Sequence, residues 1–565
     1  MDFACIDRFL TRLQDGLRVH SRDILLMARG AALRLGGLTL ALAAAGPAAS
    51  AQLQHGDAPS TIKGFAITGD NPLSAADTAA LLAPFLHRES SPAMLRRVGA
   101  ALEQALRDQG HGLYRVVLPP QNLSDTITLQ VLRQTIDSVR VEGAGRYFDV
   151  AEVRAALPEL REQTTPNLRR LAREMVIAND NPSRQLQVAL SPGARADTVS
   201  ATVQVQERRP WHAGVAWNND GTPDTGRDRL VMALGHDKPF GLDHRLVGVY
   251  ASSTDRPHDI DQFGLRYRVP VYAWGGVVSV EHMRTDGVGP FGLEPAEQAP
   301  STFVSAGAGH ETALGYTYHL AAAIDWRAKA SVSLRDRLFR AGELAGSGSW
   351  ASDRRTRVLA LEYAVQQEEP DGLWSWEGRL GLAFNLPHGR ANELAAYQTE
   401  NPSIETTRWT AWRGAAQATT SLGPGWQLSG RLQAQSSTDL LLAGEAFALG
   451  GIGSVRGVPE RALYGDSGLA ATLELTAPTR WPGLRALAFI DAGWVRSDQP
   501  DSPLRRREDR LASMGLGLRY AHASGASLRA DYARVVTGSR ADHNLLPTSP
   551  IPGDDKLHVN VSLVF

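Results

Sequence analysis

The sequence predicts an all-β transmembrane barrel of about 16 antiparallel strands, preceded by two small α+β domains of βααββ order. Three observations carry this prediction: a basic, apolar, small-residue N-terminal segment, an internal repeat of 74 positions between Phe65 and Val139, and a C-terminal tract that alternates with period two and carries charge on its second face. The 565 residues are 43% hydrophobic and 21% charged, with formal net charge −1. That balance, without a basic stripe of interleaved aromatics, excludes a protein built to wrap nucleic acid. Beyond the N-terminal segment no run of about 18 apolar residues occurs, which excludes helical membrane spans. The single cysteine, Cys5, excludes a disulfide scaffold and a thiolate metal site.

Residues 1–51 read as an export signal with a possible non-native extension at its start. Arg29 and Arg34 precede the apolar stretch Leu35–Ala45, and Ala49-Ser50-Ala51 supplies a small-x-small cleavage site that leaves Gln52 first. The residues before Met27 are too polar for a signal, so either Met1 or Met27 is the start. Cleavage removes Cys5, which suits an oxidising compartment.

The repeat spans a first domain at 61–133 and a second at 134–208. Phe65-Ala66-Ile67-Thr68-Gly69 and Val139-Arg140-Val141-Glu142-Gly143 open the copies as short strands that end in a turn. Ser91-Pro92 and Thr165-Pro166 each read as a helix start, a capping hydroxyl followed by proline at the first helical position. Leu129-Gln130-Val131 and Val203-Gln204-Val205 close the copies as alternating strands. Leu95, Val98, Leu102 and Ala105 share one helix face, as do Leu168, Leu171 and Met175. Each copy predicts a three-stranded sheet covered on one side by two helices, with a free edge fit for strand addition by an extended peptide.

From 209 to 565 the period is two. Phe263, Leu265, Tyr267 and Val269 alternate with Gly264, Arg266 and Arg268; Met514, Leu516, Leu518 and Tyr520 alternate with Gly515, Gly517 and Arg519. Apolar outside and charged inside is the pattern of a lipid-facing barrel with a wet lumen. The predicted strands are 211–220, 228–238, 243–253, 260–270, 274–285, 303–318, 326–338, 354–366, 374–385, 407–420, 425–437, 469–478, 484–495, 510–520, 525–536 and 556–565. Several connectors after even-numbered strands are short, Pro239–Leu242, Ser421–Pro424 and Ala521–Ser524, and those after odd-numbered strands tend to be long, as in outer-membrane barrels. A soluble sandwich or propeller is the alternative architecture; the inward arginines, the export signal and the terminal Phe565 count against it.

The longest connector, Leu440–Gly468, contains Gly450-Gly451-Ile452-Gly453-Ser454-Val455-Arg456-Gly457. Gly453 and Gly457 flank Arg456 and suit a narrow hairpin tip. In Phe489-Ile490-Asp491-Ala492-Gly493 the parity places Phe489, Asp491 and Gly493 on the lumenal face, and Glu474 on the preceding strand also faces inward. An arginine on an inserted loop and lumenal carboxylates make a charge-assisted pair.

Export signal, two βααββ repeats, a 16-strand reading, a long loop with Ser454-Val455-Arg456-Gly457 and the strand Phe489-Ile490-Asp491-Ala492-Gly493 together resemble two-partner secretion transporters. These are the TpsB proteins, or ShlB/FhaC/HecB-type haemolysin secretion and activation proteins, of the POTRA-plus-barrel superfamily. Asn179-Asp180-Asn181-Pro182 also looks like this branch. Val458 stands where the family often has an aromatic, and Gln52–Ser60 is short for the plug helix that the family often carries. The expectation is therefore that the Leu440–Gly468 loop closes the resting lumen.

The resemblance implies an outer-membrane protein with periplasmic POTRA domains. It would bind an unfolded, large TpsA-type β-helical partner (adhesin, haemolysin or contact-dependent toxin) and export it through the barrel without nucleotide hydrolysis. It also implies that Phe565 signals insertion to the barrel-assembly machinery, with outer-membrane lipid around the barrel. No cofactor and no metal are expected: Gly-x-x-x-x-Gly-Lys-Ser/Thr is absent, Gly465-Asp466-Ser467-Gly468 lacks the hydrolase-elbow spacing, and the histidines are scattered. An outer-membrane assembly factor of the same superfamily and a passive porin are the alternatives.

Overall fold

The computed structural model describes residues 61–565 apart from 122–124, 222–225, 259, 287, 292–302, 307, 321–325, 345–347, 351, 370–371, 500 and 504. The export signal, its cleavage site, Cys5 and the Gln52–Ser60 segment lie outside the described residues.

The first domain runs β1 (Gly64–Gly69), α1 (Ala75–Leu82), α2 (Pro92–Asp108), β2 (Tyr114–Val117) and β3 (Thr126–Arg133). The second runs β4 (Thr135–Glu142), α3 (Val150–Ala155), α4 (Leu168–Ala178), β5 (Arg184–Pro192) and β6 (Thr198–Glu207). The sheets have equivalent orders, β1-β3-β2 and β4-β6-β5, each with a parallel and an antiparallel pair. Val98 and Leu102 of α2 are buried against Leu129 and Val131, and Leu95 against Ile62 and Ile127, so the apolar helix face packs on the alternating strand. Ser91 caps α2 as its sequence suggests, its Oγ accepting from Met94 N–H. The second helix start differs from expectation. Asn167, not Thr165, is the cap of α4, its Oδ1 accepting from Arg169 and Arg170 N–H, while the Thr165 hydroxyl donates to Gln134 O.

The remaining strands are β7 (Trp211–Asn218), β8 (Arg229–His236), β9 (Arg245–Ser252), β10 (Asp261–Val271), β11 (Gly276–Thr285), β12 (Val288–Phe291), β13 (Phe303–Ala306), β14 (Gly309–His319), β15 (Trp326–Phe339), β16 (Gly342–Leu344), β17 (Gly348–Trp350), β18 (Arg354–Glu368), β19 (Trp374–Asn385), β20 (Thr410–Gly423), β21 (Trp426–Ser437), β22 (Phe447–Leu449), β23 (Leu463–Gly465), β24 (Ser467–Pro478), β25 (Leu484–Arg496), β26 (Glu508–Ala521), β27 (Ala526–Thr537) and β28 (Asp555–Val564). Sixteen of them close an antiparallel barrel; β12–β13, β16–β17 and β22–β23 are separate hairpins in its long connectors. Each predicted segment has its barrel strand. The sixth differs most: the span 303–318 merges β13, which pairs with β12, and β14, which begins at Gly309. One further short helix, α5 (Leu394–Glu400), lies in the connector between β19 and β20.

The alternation faces as lipid requires. Leu265, Leu380, Met514, Leu516, Leu518 and Leu557 are exposed on the outer wall. Trp211, Trp274, Trp374, Trp426 and Trp481 are exposed near the end that carries the short turns, an aromatic girdle at one interface. β28 closes on β7 from Asn560↔Asn218 to Val564↔Gly214, and Phe565 N–H extends the seam by donating to Ala213 O at 2.8 Å.

The second domain is fixed to the short-turn end of the barrel by charge. The fully buried Arg184 of β5 donates from Nη2 to Asp243 at 2.9 Å and to the Tyr272 hydroxyl at 3.1 Å, both on turns between barrel strands. Ser183 Oγ and Arg245 Nε converge on Asp237, while Asn181 Nδ2 donates to its carbonyl. Lys238 reaches Glu152 at 2.6 Å.

Within the second domain, Glu174 of α4 is buried, and its Oε2 accepts from Glu159 N–H at 3.0 Å. Burial away from water, with the Glu159 carboxylate beside it, outweighs that hydrogen bond and pushes the Glu174 carboxyl up to about 7. An unfolded glutamate ionises near pH ~4.3, so this site's stabilisation is complete below that pH, falls as pH rises towards 7 and is level above. The α4 amides of the full-length protein are therefore expected to gain about 1–2 kcal/mol of protection between pH ~7.5 and pH ~5, after correction for intrinsic exchange. Hydrogen-exchange mass spectrometry checks this, and Glu174→Gln should flatten the dependence.

Candidate functional site: the loop inside the lumen

The connector between β21 and β24, residues 438–466, turns back into the barrel. Its tip needs Gly457, whose φ is +95° and where a Cβ would come within 3.3 Å of the Ala533 Cβ and carbonyl oxygen. Gly453, the other glycine expected to shape the tip, has open space around it and no positive φ; a side chain fits there. Val455 and Val458 are buried with Leu449 against Ala470, Val495, Leu511 and Val535 of the inner wall. Val458 therefore fills, as an aliphatic, a dry pocket of the loop.

Between those valines Arg456 is 4% exposed and surrounded by carboxylates. Its Nε and Nη2 donate to the two oxygens of Asp491 at 2.7 and 2.8 Å, a bidentate fork, and its backbone N–H donates to Asp491 Oδ2 at 3.1 Å. Nη1 donates to Glu474 at 2.7 Å and to Asp531 at 3.4 Å. The guanidinium carbon lies 3.4 Å from the centroid of the Phe489 ring, so the strand motif supplies a stacking face as well as a charge. Asp491 and Asp531 have essentially no access to water. Asp531 is shared with Arg519, whose Nη2 donates to it at 2.8 Å. Gly493 serves differently: a Cβ there would overlap the buried Leu449 side chain, so the glycine leaves room for the loop.

The upstream limb of the loop is held on the opposite wall. Glu445, buried, accepts from Arg337 at 3.0 Å, Thr356 at 2.8 Å and Arg413 at 3.0 Å, from β15, β18 and β20. Leu441 and Leu442 pack with Tyr397, Ile404 and Trp409 of the α5 connector, and Glu400 of α5 accepts from Ala443 N–H at 2.6 Å.

The structure thus brings Val455, Arg456, Gly457, Glu474, Phe489, Asp491 and Gly493 to one place, while the Phe565 side chain lies apart, exposed at the seam. The sequence reading missed Asp531, Arg519, His558 and Glu445. Asp531 and His558 sit at inward parity on predicted strands, the signal that found Asp491. Glu445 lies in an aperiodic loop and carries no such signal.

A closed barrel that bears two βααββ domains and holds its longest connector inside the lumen defines a POTRA-barrel transporter of the outer membrane. The chain belongs to the haemolysin secretion/activation protein family ShlB/FhaC/HecB, whose model matches residues 200–520; the ShlB-type POTRA-domain model matches residues 60–133. It is similar to the outer membrane transporter CdiB of Escherichia coli, 24% identical over 509 residues that cover 82% of this chain and 78% of that one. CdiB of Dickeya dadantii (strain 3937) is 24% identical over 408 residues, covering 69% and 68%. Among solved structures, CdiB from Escherichia coli superposes with a TM-score of 0.70 at 20% identity, covering 100% of this chain and 99% of that one. CdiB from Acinetobacter baumannii gives 0.67 at 15% identity, covering 99% and 98%. The protein is an outer-membrane transporter of the two-partner secretion type, with its POTRA domains in the periplasm and a secreted TpsA-type partner.

The Leu449–Gly493 contact generates a test. Gly493→Val overfills a packed site, which costs about 1–3 kcal/mol, and is expected to expose the 438–466 loop to limited proteolysis in the detergent-solubilised protein. Leu449→Ala in the same chain should restore protection.

Proposed function

We propose that the transporter threads a large, unfolded β-helical partner (adhesin, haemolysin or contact-dependent toxin) through its barrel, and that the Leu440–Gly468 loop is the resting closure, locked by Arg456 on Asp491 and Glu474. The observation that supports this reading is the bidentate Arg456–Asp491 contact, made by a loop residue to a lumenal strand in a nearly water-free setting. A desolvated pair of this kind holds a discrete position, because removing either partner leaves an uncompensated buried charge, a cost of about 3–5 kcal/mol. The closure must yield for a chain to pass, and the edge strand β1 of the first POTRA sheet suits capture of an extended segment by main-chain hydrogen bonds; on the other edge the Tyr114 and Val116 N–H groups of β2 already donate to His111 O and Glu103 Oε1. No nucleotide is hydrolysed in this scheme; folding of the partner outside the cell draws it out. Phe565, exposed at the seam end, is the residue that the barrel-assembly machinery reads during insertion.

Arg456→Ala and Asp491→Ala are each expected to reduce secretion at least about tenfold, the factor that ~1.4 kcal/mol of lost positioning supplies, with the barrel still heat-modifiable. The double variant should match the worse single, since both act on one contact. Strictly additive losses in quantitative secretion assays would overturn the lock. Deleting the Leu440–Gly468 loop should raise single-channel conductance in planar bilayers. Deleting Thr61–Arg133 should abolish export while leaving the barrel inserted.

A further inference from the structure

His558 is 1% exposed and sits on β28, the last strand, facing inward. Its two ring nitrogens face different parts of the molecule. Nδ1 lies 2.8 Å from Oδ1 of Asp220, just beyond the end of β7, the first barrel strand. A carboxylate only accepts, so Nδ1 carries the proton and Nε2 is a bare acceptor. Gly457 N–H donates to that Nε2 at 3.1 Å. Gly457 is the residue next to Arg456. One imidazole therefore joins the tip of the lumenal loop, the last strand and the first strand.

The β28–β7 register starts at Asn560↔Asn218. Beyond it Asn219 carries the seam on: its N–H donates to Val559 O at 3.2 Å, its Oδ1 accepts from Val559 N–H at 2.8 Å and its Nδ2 donates to Leu557 O at 2.6 Å. The charged groups facing the imidazole are Asp220 from the first connector and Asp531, its register partner on β27, which is engaged by Arg519 and Arg456. Glu460 of the loop faces both Asp220 and Lys556 of β28.

We infer that His558 is a positioning residue that ties the tip of the lumenal loop to the seam where the barrel closes, and that loss of the acceptor at its Nε2 frees the tip while the seam contact to Asp220 stays made. A side chain that reaches Asp220 but offers no acceptor at the Nε2 position leaves Gly457 N–H unpaired. A buried Gly457 N–H without an acceptor is costly, and the tip moves off to satisfy it. The seam side of the contact stays made while the loop side is released. This inference rests on the reading of the loop as a movable closure.

A spin label placed by Gly453→Cys, where open space surrounds the backbone, reports the tip in the full chain in proteoliposomes, with Cys5→Ser to remove the other thiol. With His558 intact the label is expected to be immobilised. His558→Gln places an uncharged acceptor near the position of Nε2 and should keep it immobilised. His558→Asn reaches Asp220 but not Gly457 and should release it. A label as immobile in His558→Asn as in the intact chain, or as mobile in His558→Gln as in His558→Asn, overturns the inference; should His558→Asn fail to insert, His558→Ala, which offers no acceptor, takes its place in the comparison. Conductance separates the two readings. If loop deletion leaves conductance unchanged, the closure reading fails while the label still decides the tether. If deletion raises conductance and the label ignores His558, the tether fails and the closure stands.

Discussion

A guanidinium with almost no access to water must be surrounded by acceptors, and the lumen supplies them to Arg456 from three strands. Asp491 on β25 takes two side-chain hydrogen bonds and one from the backbone, Glu474 on β24 takes one, and Asp531 on β27 is split between Arg456 and Arg519. Much of the nearby design follows. Phe489 must lie flat beneath the guanidinium, Gly493 must leave room for Leu449, and the valines on either side of Arg456 must be apolar because the pocket is dry. The loop is bound by charge at its tip, by apolar packing beside it and by the Glu445 cluster on its upstream limb.

The number and order of barrel strands were legible because lipid on one side and water on the other impose a two-residue period that a sequence cannot hide. The same period found Asp491 and Glu474, and applied to β27 and β28 it reaches Asp531 and His558 as well. What escaped follows no period. The hairpins β12–β13, β16–β17 and β22–β23 stand in connectors, and β13 lies close enough to β14 to be read as one strand with it. Glu445 meets Arg337 across a separation of 108 residues, which no local pattern encodes. At Thr165-Pro166 the local signal was real but outcompeted. The hydroxyl went to Gln134 O, and Asn167 two positions on took the cap.

The periplasmic end is joined in two ways. The second domain is fixed to the barrel turns through the buried Arg184 on Asp243 and through Ser183 on Asp237, which Arg245 also holds. The first domain meets the second through Leu168 N–H to Gly110 O, Asn167 Nδ2 to Gln109 O and the side chain of Leu113, buried in the second domain's core. One joint is made of backbone and apolar contacts, the other of buried charge.

Arg456 precedes its partners in the chain. Glu474, Asp491 and Asp531 follow it by 18, 35 and 75 residues, and Gly457 waits for His558, 101 residues later. The tip therefore completes its set of partners only when the final strands are in place. A barrel that lacks its last hairpin would hold Arg456 short of Asp531 and leave Gly457 N–H without its acceptor. Full docking of the tip is thus a property of the complete set of strands and not of the loop alone.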